Sequence, residues 1–183
     1  MRAISLNHHP STPCKLIRCF TVRAQKTSNG MLTLDYAVEG DMAGVCIPGP
    51  RVPHRADELW QHTCFEAFLM QERGYYEFNF APSTEWAIYR FTAYRDGMSI
   101  VPQARPPKIA LTLDAHRLEL NATIDLNQLP TELEGANLSL ALSAVIEEQG
   151  GRLSYWALAH PPGKPDFHHP DGFALTLDSI DNT

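Results

Sequence analysis

A chain of 183 residues, 44% of them hydrophobic, is long enough for one domain with a substantial core, since a domain of roughly 150 residues buries about two-thirds of its extended-chain surface. The formal charge of -6, with Lys and Arg scattered along the chain, argues against a nucleic-acid partner, which demands a clustered basic surface. No run approaches the ~18 apolar residues of a membrane span, and the amino terminus MRAISLNHHPSTPCKLIRCF has no uninterrupted apolar signal segment, so a cytoplasmic protein without a membrane partner is expected.

Cys14, Cys19, Cys46 and Cys64 show no CxxC spacing, which speaks against a disulfide framework or a thiolate zinc site. Residues 16–24 and 31–38 alternate apolar and polar around Ser28-Asn29-Gly30 and read as a hairpin. Residues 40–56, with three glycines and three prolines, read as a long irregular loop of the kind that often carries function. Three strands follow, at 64–70, 75–81 and 86–94. After a proline-rich connection at 102–107, a second hairpin is expected at 108–113 and 117–124. Asp125 then caps one helical turn. Strands at 138–146, 153–159 and 173–177 complete the pattern. Short strands, frequent turn signals and almost no helical period predict a single all-β domain over 1–183, an antiparallel β-sandwich, with a closed barrel as the structural alternative.

The stretch 57–95 carries the densest mixture of aromatic and polar side chains. Period-two alternation sets Tyr76, Phe78 and Phe80 against Tyr75, Glu77 and Asn79, and sets Phe65, Ala67 and Leu69 against a row containing Glu66. A buried carboxylate needs partners; Arg90 is a candidate partner for Glu66 or Glu77 through a bidentate fork. The same two glutamates form an alternative acid–base pair for glycoside hydrolysis, if their carboxyls lie ~5–9 Å apart. The second informative stretch, YWALAHPPGKPDFHHPDGF at 155–173, is a loop stiffened by prolines, as a preformed pocket requires. Trp60 and Trp156, projecting from facing loops or strand ends, would sandwich a flat apolar ligand face such as the C–H face of a sugar. Asp166, His168, His169 and Asp171 lack the spacing of a metal site, and none is expected.

The runs ELWQHTCFEAFL, YYEFNFAPSTEWAIYRFTAYRDGM and YWALAHPPGKPDFHHPDGF resemble the bacterial DOMON-like proteins related to family-nine carbohydrate-binding modules, including the subgroup labelled UDP-N-acetylenolpyruvoylglucosamine reductase-like. The resemblance implies a β-sandwich that binds a small ligand, a sugar or a haem, without catalysing a reaction. In sugar-binding relatives two tryptophans clamp a terminal ring, a role that falls here to Trp60 and Trp156, with Trp86 the substitute for either. Glu66, Asn79, Arg90, His160 and His168 are the expected polar contacts. In haem-binding relatives a methionine and a histidine hold the iron; Met70 or Met98 with His160 or His168 are the counterparts here. The reductase label does not carry over, because the chain has no glycine-rich dinucleotide fingerprint. Open sandwich edges leave a homo-oligomer possible.

Overall fold

The computed structural model describes residues 3–101, 105–130 and 138–177, and the backbone of 179–180. The amino-terminal segment supplies two short strands, β1 (Ile4–Ser5) and β2 (Asn7–His8). The first hairpin pairs β3 (Ile17–Thr27) with β4 (Met31–Gly40). Its reversal needs Gly30, whose φ of 84° lies in the left-handed region that side chains with a Cβ disfavour. The central meander is β5 (Cys64–Met70), β6 (Tyr75–Phe80) and β7 (Trp86–Phe91), flanked by the short β8 (Ser99–Ile100). The second hairpin is β9 (Lys108–Leu113) and β10 (Arg117–Asp125). Asp125 then caps the 3-10 turn Leu126–Gln128 by accepting from Asn127 N–H, as expected. The chain continues through β11 (Leu138–Glu147), β12 (Leu153–Ala157), β13 (Leu175–Leu177) and β14 (Ser179–Ile180). Of the proline-rich connection, residues 102–104 lie outside the described ones.

These strands form two sheets. The smaller runs β1-β3-β4-β10-β9, with β14 parallel to β3; the larger runs β2-β12-β11-β5-β6-β7-β8, with β13 on β11. Among the described residues, all the pairings between these strands other than β14 with β3 are antiparallel. The fold is the expected all-β antiparallel sandwich. Between the sheets, Leu32, Leu34, Tyr36 and Val38 from β4 and Leu118, Leu120, Ala122 and Ile124 from β10 meet Phe65, Ala67, Tyr76, Phe78 and Ile88 in one apolar core. Burying one such side chain stabilises by about 1.5–3 kcal/mol. Tyr36 also crosses the core to donate its hydroxyl to the Glu66 carbonyl at 2.8 Å. No helix among the described residues is long and apolar enough to cross a membrane.

The two sheets differ on their outward faces, and that difference positions the site. The smaller sheet turns Asp35, Glu39 and Glu119 to solvent, tied by Arg117 and Asn121. In β5, β6 and β7 nearly every residue is buried on both faces. The outward face of the larger sheet carries a second apolar cluster of Phe68, Tyr75, Ala87, Tyr89, Phe91 and Ala141, against which Leu59, Phe167 and Phe173 pack from two loops.

Candidate ligand-binding site

Those two loops do not close completely over the outward face. They leave a cavity of about 300 Å³, at the small end of the range for small-molecule sites. Its floor is the sheet itself: Glu66 from β5, Glu77 from β6, Tyr89 and Phe91 from β7, Val145 from β11 and Tyr155 from β12. One wall is Trp60, in the 3-10 turn Leu59–Gln61 that ends the long loop before β5. The opposite wall is Pro165, Phe167 and His168, with Arg95 and Met98 at the mouth. Cross-strand register explains the gathering. Glu77 stands opposite Phe68 on β5 and opposite Tyr89 on β7, and Glu66 stands opposite Asn79 on β6 and Ser143 on β11. Glu66 and Glu77 are therefore diagonal neighbours on one face, at a spacing of about 7 Å.

Each wall is held by its own contacts. Tyr89 donates its hydroxyl to Asp57 Oδ1 at 2.6 Å, Asp57 is paired with Arg55, and the Arg55 guanidinium lies 5.6 Å from the centre of the Tyr89 ring. Trp60 meets Tyr89 edge-on with centroids 6.3 Å apart. On the other side Asp166 accepts Arg95 Nη2 at 2.7 Å, the Tyr94 hydroxyl and the His168 N–H. Its carboxyl stays below its ordinary range: partial burial opposes ionisation, and these donors outweigh it.

The floor is electrostatically unusual. Burial pushes the Glu66 carboxyl well above the ordinary range, and the charge of Glu77 pushes it further. Glu77 is also raised by burial, partly offset by the Asn79 amide, which donates to Oε1 at 2.8 Å, and by the charge of Arg95. Glu66 is the more strongly raised of the two, and its Oε1 has no hydrogen-bond partner. His168 contributes no positive charge at neutral pH. Burial among Phe68, Tyr75 and Phe91, and then the charge of Arg95, bring its pKa down to about 4.

The residues expected from the sequence separate into three groups. Trp60, 40% exposed, lines the cavity with Glu66 and His168, and Asn79 lies directly behind, orienting Glu77. Trp156 and Trp86 do not line it. Both indoles belong to the core between the sheets, at 4% and 6% exposure; Trp156 packs on Phe20 and His8 and donates to the Ser154 hydroxyl. The paired-tryptophan clamp is therefore corrected to a single wall tryptophan, because β12 turns Tyr155, not Trp156, to the cavity. Arg90 shares its side of β7 with Trp86 and Ile88, stands opposite Tyr76 of the core row, and reaches neither glutamate. His160 binds the Asn7 carbonyl at 2.8 Å and packs on His9, away from the cavity. Tyr89, Phe91 and Tyr155 are aromatic lining residues that the sequence reading left out, as it did Val145, Pro165 and Phe167. Alternation had already set Tyr89 and Phe91 on the face away from Trp86, and following Glu77 across to β7 would have selected them.

Of the haem pairings, one methionine and one histidine reach this cavity. Met98 and His168 both line the cavity, but the Tyr75 hydroxyl takes Arg95 N–H at 3.2 Å and lies 2.7 Å from His168 Nδ1. His168 Nε2 lies 3.8 Å from Glu77 Oε2. Met70 and His160 are not among the lining residues. All four cysteines are free thiols, and no cluster of three or more His, Cys, Asp or Glu among the described residues is arranged to hold a metal ion.

No protein-family model matches the chain, and no curated protein matches it either. Solved structures do share its architecture. A protein from Bacteroides uniformis described as a putative carbohydrate-binding protein superposes with a TM-score of 0.67 at 17% identity, over 98% of this chain and 87% of its own. A family 9 carbohydrate-binding module from Caldicellulosiruptor kristjanssonii in complex with glucose gives a TM-score of 0.53 at 10% identity, over 97% of this chain and 86% of its own. A family 9 module from the same organism in complex with cellotriose gives 0.53 at 12% identity, over 98% and 84%. At these identities the likeness shows the fold. The DOMON-like name and the reductase-like label rest on the sequence resemblance alone.

Proposed function

We propose that the chain is a non-catalytic module that binds a small carbohydrate or sugar derivative in the cavity on the outward face of the larger sheet. The observation that carries this reading is the cavity's composition: aromatic rings from β7, β12 and two loops surround a buried row of carboxyls on a sandwich shared with sugar-complexed modules. Aromatic rings suit the C–H face of a pyranose, and buried carboxyls suit its hydroxyls. A cavity of about 300 Å³ matches a single sugar unit or short end group better than the length of a polymer. Hydrolysis by the Glu66 and Glu77 pair is not part of the proposal. Glu77 accepts the Asn79 amide on one oxygen and has His168 Nε2 3.8 Å from the other, which suits a carboxyl that accepts from a ligand.

Calorimetric titration against a panel of mono- and disaccharides tests the reading. At least one sugar is expected to bind, and Trp60→Ala is expected to weaken it about tenfold, the equivalent of about 1.4 kcal/mol for a lost stacking wall. Absence of heat with every sugar, or binding untouched by Trp60→Ala, would remove the proposal.

A further inference from the structure

Resting on that reading of the cavity, we propose that its preferred ligand carries a positively charged nitrogen, as an amino sugar does, seated between the Glu66 and Glu77 carboxyls. Both carboxyls line the cavity while only 3% and 6% exposed, and Glu66 Oε1, buried there, has no hydrogen-bond partner. The neighbouring cations are already engaged: Arg95 by Asp166, and Arg55 by Asp57. A hydroxyl would satisfy the Glu66 oxygen but would leave the charge of the pair unbalanced. An ammonium group brings three donors and the missing charge together, and the two glutamates, on diagonal cross-strand positions about 7 Å apart, both present their carboxyls to the one cavity. The aromatic lining of Trp60, Tyr89 and Phe91 is of the kind that accompanies cation sites.

The choice of a cation has a consequence for protons. The titratable groups around the pair are Tyr89 from β7, Tyr155 from β12, Cys64 beside Glu66 on β5, and Arg95, Asp166 and His168 from the loops. None of the loop groups supplies uncompensated positive charge, because Arg95 is matched by Asp166 and His168 is neutral. Burial and the charge of Glu77 hold the Glu66 carboxyl well above its ordinary range, so Glu66 is the group of the pair that a seated cation would act on. Seating an ammonium favours the ionised carboxyl, and the Glu66 proton leaves to solvent.

The experiment is calorimetry of the whole chain at about pH 7 with glucosamine hydrochloride, N-acetylglucosamine, glucose and choline chloride, each in phosphate and in Tris. Glucosamine is expected to bind at least about tenfold more tightly than either neutral sugar, with heats that differ between the buffers because a proton is released. Glu66→Gln, checked for folding by its thermal midpoint, is expected to lower glucosamine to the affinity of glucose and to abolish the buffer dependence. Equal or tighter binding of glucose or N-acetylglucosamine overturns the inference and leaves the carbohydrate reading standing. Choline bound with every sugar rejected supports the cation and overturns the carbohydrate reading. Absence of binding by all four overturns the inference.

Discussion

Trp156→Ala should cost about 3–5 kcal/mol of folding free energy, the usual result of emptying a large buried aromatic site, and lower the thermal midpoint by about 10 °C for a chain of this size. The indole is 4% exposed, packs on Phe20, and has its N–H bonded to Ser154 at 3.0 Å. Truncation would leave a cavity between the sheets and a hydroxyl without its donor. Trp60→Ala should stay within about 1 kcal/mol of the parent, because that ring stands at the rim of the cavity, 40% exposed. Urea unfolding of the two variants is the check. A nearly neutral Trp156→Ala would place that ring outside the core and reopen the paired clamp.

Glu66→Leu should do the reverse and stabilise the protein by about 1–3 kcal/mol at pH 8, since it exchanges a buried carboxyl with one unpartnered oxygen for apolar volume. The effect should depend on pH in a defined direction. Glu66 and Glu77 both titrate above their unfolded values in the folded chain. The stability they contribute is thus fully present below an unfolded pKa of roughly 4.3 and is lost as pH rises through the folded values. His168 acts oppositely. Its folded pKa of about 4 makes its contribution complete above about 6.5 and lost as pH falls toward 4. The gain from Glu66→Leu should therefore be larger at pH 8 than at pH 5, while binding is lost. Thermal midpoints at the two values provide the measurement, and a variant less stable than the parent at pH 8 would show that Glu66 has a partner in the folded protein. Stability given up at a ligand site is a common trade.

The sandwich was legible in the sequence because its signal is local. Alternation in 31–38 and 117–124 put Leu34, Tyr36, Leu120 and Ala122 inward, where the structure has them, and turn residues marked both hairpins. The site was only half legible. Glu66 was selected as a carboxylate in an otherwise apolar row and His168 as a polar contact from the proline-stiffened loop, and they do meet in one cavity. Trp156, Trp86 and Arg90 were selected by residue type. Which face of a strand looks into the core depends on the partner sheet, and one residue's difference in phase moved the cavity role from Trp156 to Tyr155 and from Arg90 to Tyr89 and Phe91. The minor strands β1, β2 and β8, two residues each, are too short for a period to show.

The most direct test follows the three indole N–H signals in a proton–nitrogen correlation spectrum, assigned with single Trp→Phe variants, during titration with the sugars and amino sugars above. A ligand in the cavity should move the Trp60 signal and leave those of Trp86 and Trp156 in place. Movement of Trp156 or Trp86 with Trp60 unmoved would put the ligand elsewhere on the molecule and contradict the site.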